Sequence, residues 1–168
     1  THKITMSNPL LTKSTLPYGA PQFDKIENQH YIPAFKQAIA EAKAEIDSIV
    51  NNPDEPTFEN TIEALEYAGS TLNQVSHIFY NLLEANTNEE MQNIAEEISP
   101  LTTEFSMYVS LNESLFQRVN KIYDQKNTTN LNAEETRLLE KTYESFARNG
   151  ANLSPENKEI YSKYIEEL

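Results

Sequence analysis

Phe58, Ile62, Leu65, Gly69, Leu72, Val75, Phe79 and Leu83 follow one another at intervals of three and four residues, the repeat that keeps side chains on one face of an α-helix. Read as a single helix from Thr57 to Glu84, the stretch would be about 40 Å long at ~1.5 Å per residue. A helix of that length touches every other helix of a small domain, so the chain is expected to be all-α and organised around this spine. Pro56 and Thr57 provide its entry, because a threonine oxygen accepts from the free amides of a first turn. Gly69 sits mid-stripe, where it costs about 1 kcal/mol against alanine; its position implies a slight bend or the close approach of a neighbouring helix.

The same repeat places five further helices. Tyr31, Phe35, Ala38, Ile39, Ala42, Ile46 and Ile49 form the apolar side of a first helix, expected to begin near Pro33 and to stop at Asn51-Asn52-Pro53. After the spine, Asn86 and Thr87 read as a stop followed at once by a start, with Thr87 as N-cap and Glu90 completing a capping box. The next helix carries Met91, Ile94, Ile98, Leu101 and Phe105, with a kink or break expected at Pro100. Asn112 caps a short helix, Asn132 and Glu135 open another that ends at Asn149-Gly150, and Ser154-Pro155 opens the last, with Ile160, Tyr161, Tyr164, Ile165 and Leu168 on its apolar side. No stretch reads as a strand. The expected fold is therefore an irregular bundle of about six helices (30–168), preceded by an extended N-terminal arm (1–29). Leu10, Leu11, Leu16, Phe23 and Ile26 should hold that arm against the helices, its first six residues being free to remain disordered.

Composition excludes more chemistry than it suggests. The 168 residues carry 26 acidic and 13 basic side chains, a formal charge of -13 with no basic block, which makes nucleic acid and anionic membrane poor partners. No apolar run approaches the ~20 residues of a bilayer span. Three glycines cannot build a phosphate-binding loop, and the absence of cysteine removes disulfides, thiolate metal sites and thiol nucleophiles.

Only His2, His30 and His77 are present, and no HExxH motif sets two of them one helical turn apart around a glutamate. His77 has Asn73, Asn81 and Glu84 at helical offsets, and is expected to be a solvent-facing or hydrogen-bonded structural residue. His30, just before the first helix, is expected to serve as a local cap or to pack against the arm. The neighbouring carboxylates Glu89-Glu90, Glu96-Glu97, Glu134-Glu135 and Glu166-Glu167 point about 100° apart on a helix and read as solvated faces, since nothing buries one to raise its pKa. Catalytic, cofactor-binding and metal residues are accordingly assigned to none of the chain. Phe105, Met107, Tyr108 and Val109 crowd several sides of one helix, more than one core can bury, which fits a helix between layers or one pressed against another domain.

Read as phrases, NPLLTKSTLPYGAPQFDKI (8–26), HYIPAFKQAI (30–39), NNPDEPTFENTIEALEYAG (51–69), EEISP (96–100), LNESLFQRV (111–119) and LNAEETRLLEKTYESFARNGANL (131–153) closely resemble the N-terminal region of the M3, or thimet oligopeptidase, family of zinc metallopeptidases, and most of all its bacterial peptidyl-dipeptidase branch. After EEISP the chain runs LTTEFSMYVS, where the family often carries a polar, histidine-containing turn. The resemblance implies a non-catalytic helical domain forming part of the wall of a channel in which short peptides are cleaved. Zinc and its ligands would lie in a C-terminal catalytic domain, absent here, which would be the partner of this one. The expected location is the cytoplasm or periplasm of a bacterium, with the cytoplasm slightly preferred, and apolar surface left where the other lobe would sit favours self-association. The alternative is a stand-alone helical interaction module without peptidase activity.

Overall fold

A computed structural model describes residues 7–150 and 153–167; the expectations on the first six residues, on His2 and on Leu168 lie outside them. Three 3-10 turns, Pro17–Gly19, Phe23–Lys25 and Asn28–His30, precede helix α1 (Tyr31–Val50). A π-helical turn, Phe58–Glu63, leads into the four-residue α2 (Ala64–Tyr67). The long helices α3 (Ser70–Ala85), α4 (Glu89–Ser110), α5 (Glu113–Asp124), α6 (Ala133–Arg148) and α7 (Pro155–Glu166) follow. Among the described residues the fold is all-α, with six long helices preceded in sequence by an extended arm.

Two compact units form within the chain. The first takes the residues up to Ala42 together with Gly69–Thr102, the second Lys43–Ala68 and the residues from Thr103 onward. In the first, Phe79 is fully buried and meets the edges of Tyr31 and Phe35 at 4.9 and 5.7 Å between ring centroids. Ala38, Val75 and Ile98 complete that core without exposure. The arm adds Leu10, 2% exposed, and is tied down where the Asn8 side-chain amide donates to the His30 carbonyl at 2.8 Å. Leu11 and Ile26 are half-buried, but Leu16 and Phe23 are exposed, so the arm covers the helices with only part of its apolar set. The core of the second unit joins Ile46 and Ile49 of α1, Ile62 of the π turn, Leu115, Val119 and Ile122 of α5, and Leu139 and Phe146 of α6.

The spine is not one helix. Ala68 is extended (ψ 136°) and Gly69 takes φ 76°, so α2 ends and α3 begins afresh. A Cβ at position 69 would stand 3.7 Å from that of Ala42, an ordinary contact, so the left-handed backbone rather than lack of space calls for glycine. The two parts of the stripe lie in different units: Ile62 belongs to the second, whereas Leu72, Val75 and Phe79 belong to the first.

Pro100, where a kink or break was expected, lies inside α4, which runs through it from Glu89 to Ser110. Glu96 and Pro100 are both exposed, so the turn that loses a hydrogen bond lies on the solvent side of α4, where the loss is small. The expected N-cap Thr87 instead donates its hydroxyl back to the Leu83 carbonyl, and Asn88 caps α4 by accepting from the Met91 amide at 2.9 Å. Helix α1 starts at Tyr31, two residues before the expected Pro33, because any of the first four amides is without a helical partner and proline is harmless there. Other ends follow the expected local chemistry. Thr57 accepts from the Asn60 amide, Asn112 from Leu115, Ser154 from Asn157, and Asn132 exchanges a reciprocal pair of bonds with Glu135. Gly150 takes φ 85° beyond the end of α6.

Candidate interaction surface

His30 accepts the Glu27 backbone N–H on Nδ1 at 2.9 Å, the capping role expected of it. His77 is exposed on α3, on the same wet side as Asn73, Asn81 and Glu84. Of the neighbouring carboxylates, Glu89, Glu90, Glu96, Glu97, Glu134, Glu166 and Glu167 are exposed and Glu135 is engaged in its capping box. Among the described residues no three His, Cys, Asp or Glu side chains converge as a metal site. Zinc therefore has no fitting ligand set within them.

The polar clusters that do form bind the fold together. Arg118 of α5 reaches across to the loop and π turn of the second unit. Its Nε donates to Thr61 Oγ1 at 3.3 Å, its Nη1 to the carbonyls of Asn52 and Asp54 at 3.0 and 3.4 Å, and its Nη2 to Asn60 Oδ1 at 3.2 Å. Lys121, one turn along, pairs with Glu55 and holds that carboxyl below the usual range, through the hydrogen bond first and the charge second. On α4 the Tyr108 hydroxyl donates to the Asp47 carboxylate of α1. That bond, reinforced by burial, pushes the Tyr108 pKa up. Lys43 lies 5.3 Å from the centre of the Tyr108 ring and 3.2 Å from Glu104. Tyr123 and Tyr143 stack at 3.8 Å, with Lys126 above the Tyr123 ring at 4.2 Å and bonded to Glu140 at 3.2 Å. Each cluster satisfies its own donors and acceptors across neighbouring elements. None sets a nucleophile against a base.

Apolar surface is the remaining feature. Phe105, Met107, Tyr108 and Val109 are all half-buried, and three of them, Phe105, Tyr108 and Val109, pack on the core of the second unit. Between α2, α4 and α6 lies a cleft of about 250 Å³ lined by Leu65, Val109, Leu138 and Phe146, with Glu66 and Lys141 at its rim. Beyond it, Tyr67 at the end of α2 is 71% exposed, and on α7 Ile160 and Tyr164 are 64% and 61% exposed. The α7 stripe was legible from its spacing. The cleft and the Arg118 hub were not, because neither leaves a mark within any single stretch of sequence.

Residues 35–158 match the family described as Neurolysin/Thimet oligopeptidase, N-terminal domain. The chain belongs to this family. Its similarity to whole proteins is of the same kind: it is 40% identical over 152 residues to a dipeptidyl carboxypeptidase of Salmonella typhimurium, covering 90% of this chain and 22% of that protein. The dipeptidyl carboxypeptidase of Escherichia coli is 40% identical over 155 residues, 92% of this chain and 23% of its own length. A thimet-like oligopeptidase of Dictyostelium discoideum is 26% identical over 153 residues, 89% of this chain and 22% of its own. This thimet oligopeptidase N-terminal domain thus spans less than a quarter of the curated relatives it matches. No described helix is long and apolar enough to cross a membrane.

Proposed function

We propose that the chain is the non-catalytic N-terminal domain of a larger zinc-dependent oligopeptidase that releases dipeptides from the C-termini of short peptides. In this reading residues 1–29 form an arm on the helices. Residues 30–168 form a helical domain that walls part of the substrate channel, and zinc and its ligands lie in a catalytic domain elsewhere in the same polypeptide. The cytoplasm is the preferred compartment over the periplasm. The supporting observation is the 40% identity that runs over nine-tenths of this chain yet touches only 22% of a dipeptidyl carboxypeptidase. Alongside it stands the lack of a convergent metal-ligand group among the described residues.

The test is expression of the complete reading frame and assay of an N-blocked tetrapeptide for release of its C-terminal dipeptide, with and without chelator. Activity lost to chelation and regained with zinc is the expected result. A native polypeptide of about this chain's own length, or a longer one with no metal-dependent hydrolysis, overturns the reading and leaves a helical binding module.

A further inference from the structure

Helix α7 has the local signals of a stable helix and none of the burial that a helix of its length needs. Ser154 caps it, Pro155 opens it, and Lys163 pairs with Glu159 one turn earlier at 2.8 Å. None of its residues is buried, although an isolated helix of ~12 residues is marginal in water. At 100° per residue its apolar side chains fall in one sector: Ile160 at 0°, Tyr164 at 40°, Tyr161 at 100° and Ile165 at 140°. The two edges of that sector differ. Tyr161 and Ile165 are half-buried, whereas Ile160 and Tyr164 stand 64% and 61% exposed. A helix patterned in this way is built to lie between two layers, and only one of them is provided by the described residues.

We propose that the Ile160/Tyr164 edge of α7 is an intramolecular docking surface, covered by an amphipathic segment of the same polypeptide outside these 168 residues. The proposal rests on the reading of the chain as one domain of a longer peptidase, whose relatives are more than four times as long as the part matched here. The occupant presents an apolar stripe of matching width. Basic side chains flank that stripe, because Glu156 and Glu167 border the exposed edge on the helical projection. A second copy of the chain is the poorer occupant. Each copy brings a formal charge of -13, so pairing two of them works against long-range repulsion, whereas a tethered segment meets the surface at an effective concentration on the order of millimolar.

Four single substitutions in the full-length protein test this, since the segment itself has no cysteine. I160C and Y164C place a thiol on the docking edge, and E159C and E166C place one on the exposed polar side of the same helix, about 100° and 120° from Ile160. Modification by a maleimide, followed by the mass of the labelled peptide, reads the burial of each. The expected result is that the first pair reacts at least ~30-fold more slowly than the second in the monomeric protein. Equal rates at all four positions overturn the proposal. Slow labelling that is lost on dilution, in step with dissociation of a dimer, overturns it in favour of a second copy. Should a substitution unfold the protein, amide exchange at 160–165 of the unsubstituted full-length chain replaces it: slow exchange supports docking, and exchange as fast as at the exposed arm tip around Tyr18 refutes it. Chelator-sensitive dipeptide release is measured on the same samples. Its absence sinks the peptidase reading while leaving the labelling result to decide the docking.

Discussion

Arg118→Ala removes one side chain and unties four bonds between α5 and the 52–61 stretch. The bond to the Asp54 carbonyl is exposed and water replaces it readily. The other three are partly buried. A net contribution of ~0.5–1.5 kcal/mol for each gives a loss of about 1.5–4.5 kcal/mol. The upper end is bounded by Thr61, fully buried, which keeps a partner because its hydroxyl still donates to Asn60 Oδ1 at 2.8 Å. For a chain of this size, ~3 kcal/mol lowers Tm by about 6–12 °C. Arg118→Lys keeps the charge but not the planar fork, and a single ammonium cannot span acceptors on both Asn52 and Asn60, so a loss of about 1–3 kcal/mol is expected. Arg137 is exposed on α6, which makes Arg137→Ala the control for the loss of one positive charge from an already acidic chain. The assay is thermal and urea unfolding followed by far-ultraviolet circular dichroism, with amide exchange of 57–67 as the local readout. An Arg118→Ala protein that melts within ~0.5 kcal/mol of Arg137→Ala would refute the bridging role.

Gly69→Ala should cost about 1–2 kcal/mol in urea unfolding, because the penalty is the left-handed backbone rather than contact with Ala42, and Gly69→Asn should cost less. Asn132→Ala, by removing the cap that Glu135 reciprocates, should lower stability by about 1 kcal/mol in the same assay, and Asn132→Asp should restore most of it. Phe79→Ala, at the fully buried meeting point of Tyr31 and Phe35, should cost about 3–5 kcal/mol and expose near-ultraviolet aromatic signals to solvent. Tyr108 has its pKa raised by the bond to Asp47 and by burial. Its contribution is therefore complete below the unfolded tyrosine value near ~10 and is lost as pH rises through the folded one. Urea midpoints of the parent should accordingly fall more steeply than those of Tyr108→Phe as pH rises above about 10, and parallel falls would refute the link.

Much of the helical architecture could be read one turn at a time. Helix caps at Thr57, Asn112, Asn132 and Ser154, the terminator at Gly150, and the capping bond of His30 all join atoms within four residues of each other, so residue type and spacing suffice to place them. The family phrases are likewise carried by the linear order of residues. Thr87 shows where even local reading slips: it and Asn88 are both competent caps, and the choice of Asn88 depended on how α3 ends, with Thr87 returning its hydroxyl to Leu83.

The sequence by itself determined that this chain is a set of amphipathic helices with defined ends, because periodicity and capping are short-range properties. Only the tertiary structure decided that the spine breaks at Gly69 and that α4 passes through Pro100. It alone showed that Arg118 stitches residues 57 to 66 positions away, and that α7 keeps one apolar edge uncovered. The physical reason is common to these. A stripe of apolar residues specifies that a face is to be buried but not which core buries it, and a polar side chain specifies what it can bond but not what the fold brings within 3 Å.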